Sequence, residues 1–472
     1  MIKIDGAIDA AALRPRLDRL WTASAAKLAR LQDRWADDPA APVLTRDGRY
    51  VGQEWTDWTR GFWYGSAILQ FDASGDRRFL EFGRRRSLDD IVARLTDTGV
   101  HDHAFNTVST FGNLLRLAVE GRTGVEPAEE ELYRVCLKVS GAVQASRWTD
   151  LGDGAGYIYS FNGAHSLFVD AIRTVRVLLI AHLLGHELLA EQGRHVSLAT
   201  RAIRHARTTA EYSVSYGRNR DIYDVRGRVA HESLFNVASG TYRCASTQQG
   251  YSPFTTWTRG LAWAVLGFPE ILEILPLLDD ETLAPDGGRE ALTAQLEDAA
   301  RAVADYYIEV TPTDGIPYWD TGAPGLAAMP GYLDRPADPL NPHEPVDSSA
   351  AAIAAQGLLR LSRVCESRGD AEAATRYRQA GLTIAASLLE EPYLSEREDH
   401  EGLLLSSIYS RPRGWDTTAE GRSVPSGEAV MWGDYHLREL AIYLGRLADQ
   451  STYLSVANYA TRQSPDGIRR NG

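Results

Sequence analysis

Apolar residues recur at intervals of three and four over most of the chain, which is the spacing of an amphipathic or buried helix. The clearest helical segments are residues 26–35, 169–184, 350–364 and 437–447. More polar helical patterns cover residues 198–212, 292–308 and 371–389. Alternating runs of the kind that form half-buried strands are scarce. The pattern therefore predicts an all-α protein.

The segments between the predicted helices are rich in Gly, Pro and Asp, as in residues 323–346. Such segments indicate long ordered loops rather than interdomain linkers. We therefore expect one α/α-barrel domain over residues 1–472, with an N-terminal helical extension over about residues 1–48.

A degenerate internal repeat organises the chain, because WTRGFW at residues 58–63 recurs as WTRGLAW at residues 257–263, each before an apolar helix. Four further loop-to-helix openings are HDHAF at 101–105, HSLFVD at 165–170, DSS at 347–349 and MWGDY at 431–435. Six apolar inner helices alternating with six more polar outer ones predict a closed toroid with the six openings at one end. An open helical solenoid is the alternative architecture.

Composition narrows the class of protein. The net charge of −13 argues against nucleic acid or acidic lipid as the main partner. Hydrophobic and charged contents of 44% and 24% are typical of a folded soluble chain, and no uninterrupted apolar run reaches the roughly 20 residues of a membrane span. The charged N-terminal sequence does not resemble a secretory signal, and three widely spaced cysteines fit buried thiols in a reducing compartment. We expect a cytoplasmic protein.

The 11 Trp and 21 Tyr residues, together with acidic residues at the helix openings, indicate a carbohydrate site at the mouth of the barrel. Large aromatic residues that only fill the core are the alternative. No cluster completes a metal shell around the His-Asp-His sequence at 101–103, so no metal is expected.

Asp170 is the most informative carboxylate, because it lies in a strongly apolar run where burial raises the pKa of a carboxyl group and makes it a usable general acid. A structural ion pair with Arg173 or Arg176 is the alternative. Asp102 is either a second site carboxylate or a helix cap, and Asp347 is interpreted as a cap.

Other polar residues complete the set of candidates. Arg259, and Arg60 in the first repeat, are suited to bind a ligand carboxylate or to brace a loop. His231 and the polar segment 246–250 offer hydrogen bonds to sugar hydroxyls.

Several segments together resemble the unsaturated glucuronyl hydrolases, glycoside hydrolase family 88. They include the two WTRG motifs at 58–61 and 257–260, Asp102 with Phe105, and Asp170 in its apolar run. They also include DGIPYWD at 314–320, DSSA at 347–350 and WGDY at 432–435. The segments follow the family's order from about residue 52 to residue 447.

The resemblance implies an (α/α)6 barrel that removes a 4,5-unsaturated glucuronyl residue from the non-reducing end of oligosaccharides left by polysaccharide lyases. In this family C4 of the vinyl ether is protonated and water adds at C5, without cofactor or metal. The partner it implies is a uronic-acid-containing oligosaccharide.

The resemblance also assigns roles by position. Asp170 matches the general acid/base and Asp102 its essential partner. The positions that match substrate-binding residues are Trp58, His101, His231, Gln249, Arg259 and Trp263. Two positions depart from the family: Gln248 stands where a His is frequent, and Phe161 stands where a Trp is frequent in a loop that is shorter here. Such departures also fit hydrolases of saturated glucuronides or of unsaturated rhamnogalacturonan fragments, and a non-catalytic sugar-binding scaffold is the alternative from another class.

Overall fold

The computed structural model describes residues 1–36, 38–53 and 57–451, and most of these residues are helical. The helices are α1 (Arg14–Arg34), α2 (Arg60–Ser74), α3 (Arg77–Arg86), α4 (His103–Thr107), α5 (Asn113–Val119), α6 (Pro127–Ser146), α7 (Ala171–Thr174), α8 (Arg176–Leu183), α9 (Leu198–Tyr212), α10 (Thr258–Ile274), α11 (Asp280–Leu283), α12 (Gly288–Val310), α13 (Ser348–Ser367), α14 (Ala371–Leu388) and α15 (Met431–Ala448).

The predicted helices are present, with differences at their ends. Helix α9 has the predicted bounds, whereas α12, α13 and α15 begin two to six residues before the predicted helices. The first turns of α12 and α13 lack large apolar residues, and α15 begins within the MWGDY opening. Helix α1 begins twelve residues before the prediction, at Arg14. The predicted helix 169–184 is divided at Val175 into α7 and α8.

Six helical units form a closed inner ring. In order around the ring they are α2, the unit from α4 to α5, the pair α7 and α8, α10, α13 and α15, and α15 contacts α2 again. A π-helical segment, Val108–Gly112, joins α4 to α5, so the second unit is one continuous irregular helix. This closed set of contacts is the one expected for a toroid.

An outer layer covers the ring. Helix α1 packs on α2 and α15, and α3, α6, α9, α12 and α14 each pack on an inner helix. Residues 1–48 contain α1 and the first strand, and the assignment of residues 1–472 to a single domain stays a prediction. The segment Thr258–Leu277 is long and apolar enough for a membrane span, but 83% of an 18-residue apolar window in it is buried within the protein, as is typical of an inner helix.

Short antiparallel strands lie in the connections between helices. They are β1 (Leu44–Arg46), β2 (Arg49–Val51), β3 (Trp148–Gly152), β4 (Ala155–Ile158), β5 (Ser166–Phe168), β6 (Leu188–Leu189), β7 (His195–Val196), β8 (Glu232–Asn236) and β9 (Thr241–Ser246). Strands β3 and β4 form a hairpin, and β5, β8 and β9 form a three-stranded sheet in the order β5-β8-β9. In that sheet Phe168 lies opposite Glu232.

The glycine of the first WTRG copy lets two inner helices touch backbone to backbone. A Cβ atom at Gly61 would lie 2.3 Å from Cα of Asn106 and 2.6 Å from the Phe105 carbonyl oxygen. The Gly61 amide also donates a 2.8 Å hydrogen bond to Oδ1 of Asn106. The repeated motif therefore has a packing role at this position.

We predict that Gly61→Ala lowers the midpoint of thermal unfolding, with a loss of about 1–3 kcal/mol, because backbone atoms cannot move aside for the added methyl group. Gly445→Ala in α15 is the matched control, since its Cβ meets no atom within 4 Å. That substitution leaves the midpoint unchanged or raises stability by up to about 1 kcal/mol through the unfolded chain. Equal midpoints for the two variants would contradict the packing role.

Candidate active site

A cavity of about 460 Å³ opens where the inner helices begin. Nine of the ten predicted site residues line it: Trp58, His101, Asp102, Phe161, Asp170, Gln248, Gln249, Arg259 and Trp263. The tenth, His231, lies directly behind the wall, with Nε2 4.0 Å from Oδ1 of Asp170. The cavity has the volume of a small-molecule or oligosaccharide site.

The three-stranded sheet brings His231 to Asp170. The amide of Val169 donates a 2.9 Å hydrogen bond to the His231 carbonyl oxygen, which continues the pairing of β5 with β8. The His231 ring packs against Phe168 with 4.5 Å between ring centroids, and its Nδ1 accepts a 3.0 Å hydrogen bond from the Gln248 amide. A ring held in this way keeps Nε2 on the side of Asp170.

Asp170 stands at the N-cap position of α7, yet its side chain makes no capping hydrogen bond. Its Oδ1 is buried and has no hydrogen-bond partner in the described part of the chain. Burial raises its pKa from 3.8 to about 7, and the negative charge of Asp102 contributes in the same direction. Asp170 is therefore a carboxyl group that holds a proton near neutral pH.

The alternative ion pairs for Asp170 are not formed. Arg173 binds Glu270 through two hydrogen bonds of 2.6 and 2.7 Å, and Arg176 binds Glu270 at 2.9 Å. Arg173 also pairs with Glu439 at 2.9 Å. Within the described ranges no arginine or lysine lies within ion-pair distance of Asp170, so both nearby arginines are committed to other carboxylates.

Asp102 likewise occupies an N-cap position, at α4, without a side-chain capping bond. Its side chain is 14% exposed, and Nε2 of His101 lies 3.4 Å from its Oδ1. Burial raises the pKa of Asp102 to about 7, while Arg147 opposes that rise. Two carboxyl groups that titrate in the same range thus face one cavity.

The two histidines of the site are neutral. Burial lowers the pKa of His101 to about 3 and that of His231 to about 3, and nearby arginines act in the same direction. Neither ring nitrogen of His101 has a hydrogen-bond partner among the described residues, and the same holds for Nε2 of His231. These nitrogens are available to water or to ligand hydroxyls.

Arg259 lines the cavity and is held in place by an ion pair and several hydrogen bonds. It pairs with Oδ2 of Asp347 at 2.7 Å, donates to the carbonyl oxygens of Ile408 and Tyr409, and donates to Gln249 at 3.1 Å. Asp347 also caps α13, by accepting from the Ser349 amide at 3.1 Å. The second WTRG copy therefore provides a rigid positive charge.

In the first WTRG copy the arginine has a different position. Arg60 donates to the Pro39 carbonyl oxygen at 2.7 Å and lies 3.7 Å from the Asp90 carboxylate. It is not among the described residues that line the cavity. Bracing is thus the interpretation that fits Arg60.

Aromatic rings form much of the wall. Trp58 packs on Trp432 with 4.8 Å between ring centroids, and Phe105 packs on Trp263 at 4.9 Å. Phe161, at one of the two positions that depart from the family pattern, is 44% exposed and stacks on His101 at 6.2 Å. Flat apolar surface of this kind suits a sugar ring.

The structure adds lining residues that the sequence pattern did not indicate, notably Tyr409, Arg413 and Trp415. They lie in a loop whose ends are held by Asp416, which accepts a 3.0 Å hydrogen bond from the Ser410 amide. Arg413 donates a 3.2 Å hydrogen bond to Oε1 of Gln248, which is the other position that departs from the family pattern. An irregular loop far along the chain carries no periodic signal, so only the density of Arg and Trp there was informative.

In the described ranges no group of three or more His, Cys, Asp or Glu side chains is placed to hold a metal ion.

The unpaired state of Asp170 predicts how stability depends on pH. Its folded-state pKa of about 7 exceeds the ordinary 3.8, so its contribution to stability is full below pH 3.8 and is lost as pH rises through 7. Asp170→Asn removes this loss. We expect the stability of the variant relative to wild type to increase by about 2–3 kcal/mol between pH 5 and pH 8, measured by denaturant unfolding.

Asp347→Asn is the matched control, because it removes the partner of the buried Arg259. We expect this variant to lose about 3 kcal/mol or more at both pH values. A loss of stability for Asp170→Asn as large as that for Asp347→Asn would contradict the unpaired state of Asp170.

No protein-family profile matches the chain. The chain is 27% identical over 418 residues to the unsaturated glucuronyl hydrolase of Bacillus sp. (strain GL1), covering 86% of this chain and 90% of that protein. It is 25% identical over 411 residues to the unsaturated chondroitin disaccharide hydrolase of Streptococcus pyogenes serotype M1, covering 86% of each.

A similar solved structure confirms the fold. The crystal structure of the unsaturated glucuronyl hydrolase from Bacillus sp. GL1 matches with a TM-score of 0.67 and 22% identity, over 91% of this chain and 97% of that one. The sequence comparison and the structure comparison thus both extend over most of the chain and point to the same group of proteins. The chain is thus similar over most of its length to the unsaturated glucuronyl hydrolases, and the comparisons support a glycoside hydrolase.

Proposed function

We propose that the ring of helices is an (α/α)6 barrel whose cavity removes a 4,5-unsaturated uronic acid from the non-reducing end of oligosaccharides left by polysaccharide lyases. The names of both relatives, one a glucuronyl and one a chondroitin disaccharide hydrolase, support a substrate of this class. The observation that carries the proposal is Asp170, a buried carboxyl group that has no arginine or lysine partner among the described residues and whose pKa is raised to about 7.

The reaction needs one group that first donates and then accepts a proton. Asp170 gives its proton to C4 of the C4=C5 double bond, and the positive charge that develops is shared by C5 and the ring oxygen. Water then adds to C5 and returns a proton to the Asp170 carboxylate, which leaves a hemiketal. The hemiketal opens to a ketone at C5, and the hemiacetal formed at C1 releases the remaining sugar. A single acid/base residue therefore donates the first proton and accepts the second.

Asp102 and the neutral histidines support this step. An ionised Asp102 stabilises the protonated form of Asp170 and accepts hydrogen bonds from substrate hydroxyls. The free nitrogens of His101 and Nε2 of His231 bind hydroxyls or the attacking water without carrying a competing charge. Hydration needs no carboxylate nucleophile, which is the role of the second carboxylate in a retaining glycosidase.

Binding of an anionic sugar ring has a matching surface. Arg259, held by Asp347, supplies a fixed positive charge beside Gln249. Trp58 and Trp263 supply ring faces. Because a local field determines what enters a cavity, the net charge of −13 does not oppose an anionic substrate.

We also propose the cytoplasm as the compartment of the protein. Its three cysteines are free, and Cys244 is exposed, which suits a reducing environment.

The test follows the ultraviolet absorbance of a 4,5-unsaturated glucuronyl disaccharide, whose conjugated enol-ether carboxylate is lost on hydration. We expect wild type to abolish the absorbance and Asp170→Asn to lower kcat by about 100-fold or more, because a general acid/base contributes about that factor. Asp153→Asn, in the exposed turn of the β3–β4 hairpin, is the control and keeps wild-type kcat.

Thermal unfolding of each variant separates loss of catalysis from loss of fold. Release of sugar from saturated glucuronides with no change in the absorbance of any unsaturated disaccharide would replace the proposal with conventional hydrolysis. Wild-type turnover by Asp170→Asn would remove Asp170 from the acid/base role.

A further inference from the structure

Arg147 is a buried cation beside the site that the proposed reaction does not use. It follows the last residue of α6 and precedes β3, and it is 4% exposed. It is not among the described residues that line the cavity.

Its guanidinium group connects two loops that carry site residues. It donates to the carbonyl oxygens of Tyr159, at 3.2 Å, and Ser160, at 2.7 Å, just before Phe161. It also donates to the Thr98 carbonyl oxygen, in the loop that leads to His101 and Asp102. Three bonds from one planar group fix both loops relative to β3.

The charge of Arg147 has no ion-pair partner in the described part of the chain. Across the described residues no carboxylate lies within 4.0 Å of it, and its close contacts are three carbonyl oxygens and the Tyr159 ring, 4.3 Å from the guanidinium carbon. A buried charge is costly without a paired carboxylate, and a neutral donor would serve carbonyl oxygens at lower cost. This points to a role for the charge itself.

Asp102 is the carboxylate on which that charge acts. The positive charge of Arg147 favours the ionised form of Asp102 and opposes protonation of His101 and His103. The charges that act together with that of Asp102 are those of Asp97, Arg147, Asp170 and Tyr409, and His101 lies 3.4 Å from its Oδ1. His103 and Arg259 line the same cavity.

We propose that Arg147 is a positioning residue that ties together the two loops carrying Asp102 and Phe161 and whose charge favours the carboxylate form of Asp102. This inference rests on the proposed function, because the division of roles matters only if Asp170 is the acid. Without the cation, Asp102 takes up a proton more readily, and its negative charge then no longer favours the protonated form of Asp170.

The experiment measures the ionisation of Asp102 directly and through the reaction. Carbon-13 NMR of labelled aspartate carboxyl groups, with the Asp102 signal assigned by Asp102→Asn, follows its titration in wild type, Arg147→Met and Arg147→Lys. The pH dependence of kcat/KM on the unsaturated disaccharide is recorded for the same proteins. Arg147→Gln replaces the Met variant if that variant does not fold.

We expect Arg147→Met to raise the pKa of Asp102 by about half a unit or more, to move the acid limb of kcat/KM to higher pH by the same amount, and to lower kcat. Arg147→Lys keeps the charge, so the limb stays in place while KM rises because the two loops lose their shared bonds. Arg201→Met is the control: Arg201 also donates to a carbonyl oxygen, that of Ala145, and covers a ring, that of Trp148, without acting on Asp102. It leaves both readouts unchanged.

An unmoved Asp102 titration in the Met or Gln variant would overturn the inference, whether or not the substrate is the right one. If Arg147→Lys and Arg147→Met lose kcat/KM equally, and the acid limb of the pH profile stays at the same pH in both, Arg147 has a purely structural role. Failure of wild type to consume any unsaturated disaccharide would instead reject the proposed function and leave the NMR result to decide the ionisation of Asp102.

Discussion

The ion pairs of Glu270 determine which buried carboxyl group remains free in this protein. Glu270 lies on α10 and binds both Arg173 and Arg176, which are one and two turns beyond Asp170 on the neighbouring helical unit. If either arginine bound Asp170 instead, that aspartate would stay ionised and could not donate a proton at neutral pH. A structural network within the ring of helices thus sets the chemistry at its mouth.

Four aspartates at the helix openings look alike in the sequence but differ in whether their carboxylates are hydrogen-bonded within the fold. Asp347 caps α13 and pairs with Arg259, and Asp434 accepts hydrogen bonds from the Leu403 and Leu404 amides at 2.9 and 2.8 Å. Asp102 and Asp170 occupy comparable positions but make no capping bond. Satisfied carboxylates stabilise the fold, whereas unsatisfied ones remain for ligands, and the difference depends on residues distant in sequence.

Much of the fold was accessible from local pattern. The spacing of apolar residues located the major helices, and the WTRG repeat indicated that comparable openings begin the inner ones. The starts of several helices and the break at Val175 were not predicted, because the first turns of α12 and α13 lack large apolar residues and the short β5 strand before Asp170 follows tertiary contacts. Periodicity indicates which face of a helix is buried, but it does not indicate where contacts with neighbouring elements end or interrupt the helix.

The site was only partly accessible, for a physical reason. Residues such as Trp58 and Arg259 belong to repeated motifs at helix openings, so their position followed from the architecture. His231 meets Asp170 through the pairing of β5 with β8, and Trp415 reaches the cavity from an irregular loop held by Asp416. Strand register and loop closure are long-range properties, so a site assembled from them becomes visible only when the chain is folded.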